Sequence, residues 1–289
     1  MSTTNVTRAP RTWLITGSSR GFGRSLAEAV LAAGDNLVAT ARNPMGIRDL
    51  VEEFGNRVLP FPLDVTEPEQ ARAAVAAAVE RFGCLDVVVN NAGYANLDSI
   101  EHIAEDDLRA QVETNLWGVV NVTRAALPVL HRQRAGHVIQ FSSIGGRQGS
   151  PALGAYQLSK FAVGGFSEVL ATEVAPLGIK VTIIEPGGFR TDWAGASMRT
   201  PDCLDPDYEP TVGAMIRRLR GSRGHEDGDP DRAARVILDV VELADPPLRL
   251  LLGTYALERA ADILERQSAS DRKWAYLSTR TDFPPQDTK

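Results

Sequence analysis

Thr12-Trp13-Leu14-Ile15-Thr16 runs without a break into Gly17-Ser18-Ser19-Arg20-Gly21-Phe22-Gly23. The first five residues are β-branched or bulky and read as a strand, and the Ala- and Leu-rich stretch from Gly21 to Ala33, ended by Gly34, reads as a helix. A strand feeding a helix through a glycine-rich turn suits dinucleotide binding. Glycines let the backbone approach a pyrophosphate closely, and the helix N-terminus offers free N–H groups and the positive end of its dipole. The glycines fall as Gly-x-x-x-Gly-x-Gly, so the turn calls for a second marker elsewhere in the chain.

Outward from this turn, short β-branched runs alternate with longer Ala-rich ones. Strands are predicted at Asn36 to Thr40, within Arg57 to Leu63, and at Leu85 to Asn90, His137 to Ser142, Ile179 to Glu185 and Leu248 to Leu252. Pro60 and Pro62 are assigned to a frayed end of the third strand. Helices are predicted at Pro68 to Phe82, Glu105 to Arg134, Ala155 to Ala175 and Arg232 to Leu243, with one more after Tyr255. Alternating strands and helices with continuously apolar strands imply an α/β fold, a Rossmann-type doubly wound parallel sheet with helices on both faces. Residues 11–289 are expected to form one domain, preceded by a loose polar arm over 1–10 and ending in an extension over 254–289. The stretch 192–230 mixes Gly, Pro and charge with Trp193, Met198, Tyr208 and Met215, which reads as a substrate lid containing some helix.

Composition removes several classes. Hydrophobic residues are 43% of the 289, enough for one large core, while a net charge of −6 gives no support to a nucleic-acid surface. No apolar run approaches the ~20 residues of a membrane span, and the start of the chain lacks the apolar stretch of a signal peptide. Cys84 and Cys203 are too few for a disulfide framework, and no His pairs with another His or Cys at a metal-ligand spacing, so no metal is expected. The expected setting is cytoplasmic.

The second marker lies in Ala155-Tyr156-Gln157-Leu158-Ser159-Lys160, where Tyr156 and Lys160 share a helix face at i and i+4. A free phenol, with pKa ≈ 10, is a poor acid/base near neutral pH. Lowering it by ~3 units takes ~4 kcal/mol, about what one ammonium at ~4 Å supplies at an effective dielectric of ~20. Ser142 and Ser143 end the fifth strand and Asn90-Asn91-Ala92-Gly93 the fourth, at the carboxyl edge where open parallel sheets bind ligands. Arg42 follows the second strand, where an NAD enzyme commonly carries Asp or Glu for the ribose 2′-hydroxyl. With Arg20 in the turn, it points to the 2′-phosphate of NADP rather than to NAD.

Taken together, these motifs resemble the short-chain dehydrogenase/reductase family, in its compact single-domain branch, over about residues 11 to 253. Thr16 to Gly23 is similar to the family's Thr-Gly-x-x-x-Gly-x-Gly turn, Leu63-Asp64-Val65 to its adenine segment, and Asn90 to Gly93 to the element that steadies the central sheet. Asn115, Ser143, Tyr156 and Lys160 match the catalytic tetrad, and Pro186, Gly187 and Thr191 the segment that contacts the nicotinamide carboxamide. The resemblance implies a seven-stranded sheet. It also implies roles: Tyr156 as acid/base, Ser143 orienting the carbonyl oxygen, Lys160 lowering the Tyr156 pKa and holding the ribose, and Asn115 anchoring a water.

The cofactor set implied is Gly17, Ser19, Arg20, Gly21, Phe22, Gly23, Arg42, Asp64, Val65, Asn91, Ala92, Gly93, Tyr156, Lys160, Pro186, Gly187 and Thr191. The expected partners are a small carbonyl or alcohol substrate and a homodimer or homotetramer joined through the two long helices. Tyr94, Gly145, Leu153, Phe189, Trp193 and the lid are expected to line a mainly apolar substrate pocket. Two alternatives are weaker. A sugar-nucleotide epimerase or dehydratase carries a different glycine spacing, and a catalytically silent cofactor sensor commonly lacks the tyrosine.

Overall fold

The structure is a computed structural model and describes residues 8–195 and 198–283. Residues 1–7 of the expected arm, residues 196–197 of the expected lid and the last six residues of the extension lie outside the described residues.

Seven parallel strands form one sheet in the order β3-β2-β1-β4-β5-β6-β7. They are β1 Thr12–Ile15, β2 Asn36–Ala41, β3 Val58–Pro62, β4 Val87–Asn90, β5 Gly136–Phe141, β6 Ile179–Pro186 and β7 Arg249–Leu252. Strand order reverses between β1 and β4, the switch point at which doubly wound sheets open a crevice at their carboxyl ends. Alternation within β1 builds both faces. Trp13 and Ile15 join one core with α1 (Gly21–Ala32), α2 (Arg48–Phe54) and α8 (Pro230–Glu242). Leu14 joins the other with α3 (Pro68–Phe82), α5 (Gly118–Gln133) and α6 (Gly154–Val174).

Three features depart from the sequence expectation, and helix within 192–230 agrees with it. Pro60 and Pro62 sit inside β3, paired with Ala39 and Ala41. They are tolerated because β3 is an edge strand and need not donate outward. The helix expected over Glu105 to Arg134 is interrupted: α4 (Glu105–Val112) passes through a π-helical turn, Glu113–Trp117, into α5. There Gly118 approaches the segment after β3 so closely that a Cβ would lie 2.4 Å from Val65 Cγ2. The short α2 was not foreseen. Within 192–230, α7 (Ala214–Ser222) and a π-helical turn (Glu209–Gly213) place Val212 and Ile216 in a third apolar cluster with Leu153 and Tyr156.

At the start of the described chain, the Arg8 guanidinium donates to both oxygens of Asp35 at 2.7 and 2.9 Å. Asp35 also accepts from the Arg11 amide and the Trp13 indole, both at 2.9 Å. Burial alone would raise the Asp35 pKa, but these donors outweigh it and hold the carboxyl below its usual range. At the other end, α9 (Thr254–Ser278) buries only Ala256, Ala260 and Ile263. Among the described residues no helix is long and apolar enough to cross a membrane.

Candidate active site

The turn after β1 is organised by Thr16. Its Oγ1 accepts from the amides of Asn91 and Ala92 at 2.9 and 3.0 Å, and its carbonyl accepts from Asn91 Nδ2 at 2.9 Å. These bonds tie the end of β1 to the end of β4 across the switch point. Two glycines are fixed by geometry. Gly17 takes a positive φ of 72°, and a Cβ on Gly23 would lie 2.2 Å from the Gly17 carbonyl oxygen. The first turn of α1 can therefore pack under the loop and keep its N-terminus open. Below, Asn90 Nδ2 donates to Thr123 Oγ1 and Gln140 Oε1 at 3.0 and 2.9 Å, and Gln140 Nε2 returns to Thr123 at 3.1 Å. This buried set locks β4, β5 and α5 behind the site.

The carboxyl edge opens into one cleft of about 660 Å3. Of the cofactor residues expected from the sequence, all but Gly23 line it, and Gly23 lies beneath the turn. Ser143, Tyr156 and Lys160 line the same cleft, while Asn115 stands behind its wall, fully buried. Asn115 Oδ1 accepts the Tyr94 amide at 2.9 Å and its Nδ2 donates to the Tyr94 carbonyl at 2.8 Å. Its amide group is thus committed to shaping the loop after β4. Asp64 Oδ1 accepts from the Thr66 amide and hydroxyl at 3.0 and 2.8 Å, closing the turn before α3.

Burial governs the electrostatics of the Tyr–Lys pair. Tyr156 is pushed up to about 12 by loss of solvent, with the Ser143 hydroxyl pulling the other way. Lys160 is pushed down to about 8 by the same cause. Its ammonium donates to the Phe141 carbonyl at 2.6 Å and stands 5.6 Å from the centre of the Tyr156 ring. Burial, and not the ammonium, is the dominant influence on the phenol. Ser143 Oγ accepts the Gly145 amide at 3.0 Å, which steadies the loop that carries it.

A buried carboxylate braces the same edge. Glu185, fully buried near the end of β6, takes Nε and Nη2 of Arg147 at 2.9 and 2.5 Å, and Nη1 of Arg249 at 2.5 Å. Arg249 also donates to Glu168 of α6 at 2.9 Å. The cluster joins the loop after Ser143, the strand before Pro186 and the helix that carries Tyr156.

Tyr94, Phe189 and Trp193 line the cleft as expected, and Trp193 packs 5.2 Å from the Tyr156 ring centre. Gly145 and Leu153 are not among its lining residues. Leu153 instead packs in the third apolar cluster, and Gly145 faces the Gln157 side chain. The segment expected to be the lid also lines it, through the polar residues Asp192, Arg199, Ser222 and Glu226, and Asn96, which the sequence did not mark, joins them. They converge only in three dimensions, from segments up to about 130 positions apart, and no local spacing marks them.

A switch-point cleft with a glycine turn on one side and a Ser–Tyr–Lys set on the other defines a nicotinamide-dependent oxidoreductase of the Rossmann class. The profile of the short chain dehydrogenase family matches residues 11–202, and the chain belongs to that family of NAD(P)-dependent dehydrogenases and reductases. It is 54% identical over 267 residues to Oxidoreductase BOA17 of Botryotinia fuckeliana (strain B05.10), covering 92% of this chain and 97% of that protein. The crystal structure of a short-chain dehydrogenase from Streptomyces avermitilis superposes with a TM-score of 0.89 at 37% identity, covering 96% of this chain and all of that one. An alcohol dehydrogenase from Thermococcus sibiricus, complexed with 5-hydroxy-NADP, matches with a TM-score of 0.69 at 26% identity, over 84% and 96% of the two chains.

Proposed function

We propose that this oxidoreductase uses NADP in preference to NAD, and interconverts a carbonyl and an alcohol on a small molecule with an apolar body. The carrying observation is the convergence in one cleft: the glycine turn, Arg20, Arg42 and the segment from Pro186 to Thr191 line the same space as Ser143 and Tyr156. The lining fits a dinucleotide, because the N-terminus of α1, which no side chain caps, borders it together with Gly17, Gly21 and Gly93. Arg20 and Arg42 are both exposed, with no carboxylate partner among the described residues, and suit a 2′-phosphate.

When bound, the nicotinamide supplies or accepts the hydride at the substrate carbon. Tyr156 Oη gives its proton to the carbonyl oxygen in reduction and removes it in oxidation. Ser143 Oγ holds that oxygen in place, and Lys160, once its ammonium is drawn toward the ribose, favours the phenolate. Asn115 acts by holding the Tyr94 loop. The apolar walls at Tyr94, Phe189 and Trp193 receive the substrate body and exclude water. Residues 192–230 serve as its lid within a single domain. Exposed Trp117, Leu158, Phe161 and Val169 on α4–α5 and α6 support a homodimer or homotetramer, which we place in the cytoplasm.

NADPH consumption on a panel of ketones and aldehydes tests the reading. Wild type should turn over at least one carbonyl class, and Tyr156→Phe should bind cofactor normally while losing ~10²-fold or more in kcat. Near wild-type kcat in that variant would remove Tyr156 from the chemistry.

A further inference from the structure

A second cavity, of about 320 Å3, adjoins the active-site cleft, and Leu219 lines both. Leu97 and Met198 give it apolar walls, and Thr200, Arg220 and Arg223 make its polar side. Arg220 Nη2 donates to Thr200 Oγ1 at 2.5 Å. Arg223 reaches toward Gly195, where its Nη2 would lie 3.5 Å from an added Cβ.

The charge around these two arginines is unusual for this chain. Acidic residues outnumber basic ones by 37 to 31, so a surface guanidinium has many carboxylates to choose from. On the same helix, Arg217 pairs with Glu209 and Arg218 reaches the Tyr255 hydroxyl at 3.3 Å. Among the described residues neither Arg220 nor Arg223 has a carboxylate within ion-pair distance. Glu226, an acidic residue of the main cleft, accepts the Gly224 amide at 2.8 Å. Two cations thus border a partly apolar cavity that shares the Leu219 side chain with the reaction chamber, with hydrogen-bonding capacity to spare. Guanidinium groups take carboxylate or phosphate through paired, charge-assisted bonds.

We propose that this side cavity is an anion subsite of the active site. It selects ketones whose apolar body lies over Leu219 and whose far end carries a carboxylate or phosphate bound by Arg220 and Arg223. The proposal rests on reading the main cleft as the place of carbonyl chemistry, and it adds the substrate class to that reading.

The test uses the full-length protein and a ladder of straight-chain keto acids of increasing length, with their methyl esters and the matching oxoalkyl phosphates. Calorimetric binding is measured beside NADPH turnover. At one favoured length, the acid or the phosphate should bind at least ~10-fold more tightly than the ester, as expected for one to two charge-assisted bonds. The preferred member identifies the anion. Arg220→Ala/Arg223→Ala should bring the ratio to within ~2-fold of unity and leave ester binding unchanged, whereas the double lysine variant should keep part of the preference. Equal binding of acid, phosphate and ester at every length, or a preference that survives the double alanine variant, would overturn the subsite. If the anions bind preferentially and none of the ketones is reduced, the subsite stands and the carbonyl reading fails.

Discussion

The Lys160 ammonium stands 5.6 Å from the centre of the Tyr156 ring, and both side chains are buried. In the protein alone burial is in charge: the phenol is pushed up to about 12 and the ammonium down to about 8. Loading with oxidised cofactor should draw Lys160 from the Phe141 carbonyl and bring Tyr156 down by ~2–3 units, the scale of one cation at ~4 Å. Ultraviolet titration of the phenolate, with Tyr156→Phe as the blank, reads this directly. A Tyr156 pKa below 10 without cofactor would contradict the burial argument. An unchanged drop in Lys160→Met would take Lys160 out of the proton path.

Arg42 carries the cofactor prediction. NADP should bind more tightly than NAD by ~10²-fold at low salt, with the margin narrowing as salt rises, because exposed charges are screened. Arg42→Asp should replace attraction by repulsion and reverse or erase the preference. Titration of both proteins with both cofactors decides it, and a wild type that favours NAD would refute the assignment.

For residues 192–230, closure over bound ligands predicts increased amide protection in α7 when NADP and substrate are both present. The contrast should be largest at Val212 to Leu219, which pack toward Tyr156. Equal protection with and without ligands would make this segment a fixed wall.

Acid stability should turn on His137. It is buried in β5, donates to or accepts from Thr182 Oγ1 at 2.9 Å, and leaves its Nδ1 without a partner. Burial, with smaller contributions from Lys180 and Arg11, lowers its pKa from 6.5 to about 4. The fold therefore favours neutral imidazole, so the unfolded chain binds the extra proton first as pH falls. Stability should be full above pH ~6.5 and decline between ~6.5 and ~4, by on the order of 3 kcal/mol from this residue. His137→Gln should flatten that part of the profile in urea melts at a series of pH values. An identical slope in the variant would place the titration elsewhere.

Much of this was legible in the chain. The sheet followed from apolar runs alternating with helical stretches, and the cofactor and catalytic residues implied by the family resemblance, Gly23 and Asn115 apart, line one cleft. What escaped detection depends on contacts between distant segments. The π-helical turn around Asn115 leaves no mark in hydrophobic period, because one extra residue per turn shifts the pattern only slightly. Helix α2 is seven residues long and buries a single side chain, Leu50, too little for a periodic signal. Pro60 and Pro62 read as a frayed end because edge position is a property of the assembled sheet. Arg199, Ser222 and Glu226 reach the cleft from a segment whose path the sequence did not specify.

The carboxylate of Glu185 has a consequence for how this chain can vary. Removing it alone would leave Arg147 without its carboxylate partner and Arg249 with only Glu168. Removing either arginine alone would leave a buried anion half-compensated. Single substitutions at these three positions should therefore destabilise more than a joint change to apolar residues of similar volume. Positions 147, 185 and 249 thus behave as one unit with two self-consistent states, ionic and apolar, and the mixed states between them are the costly ones.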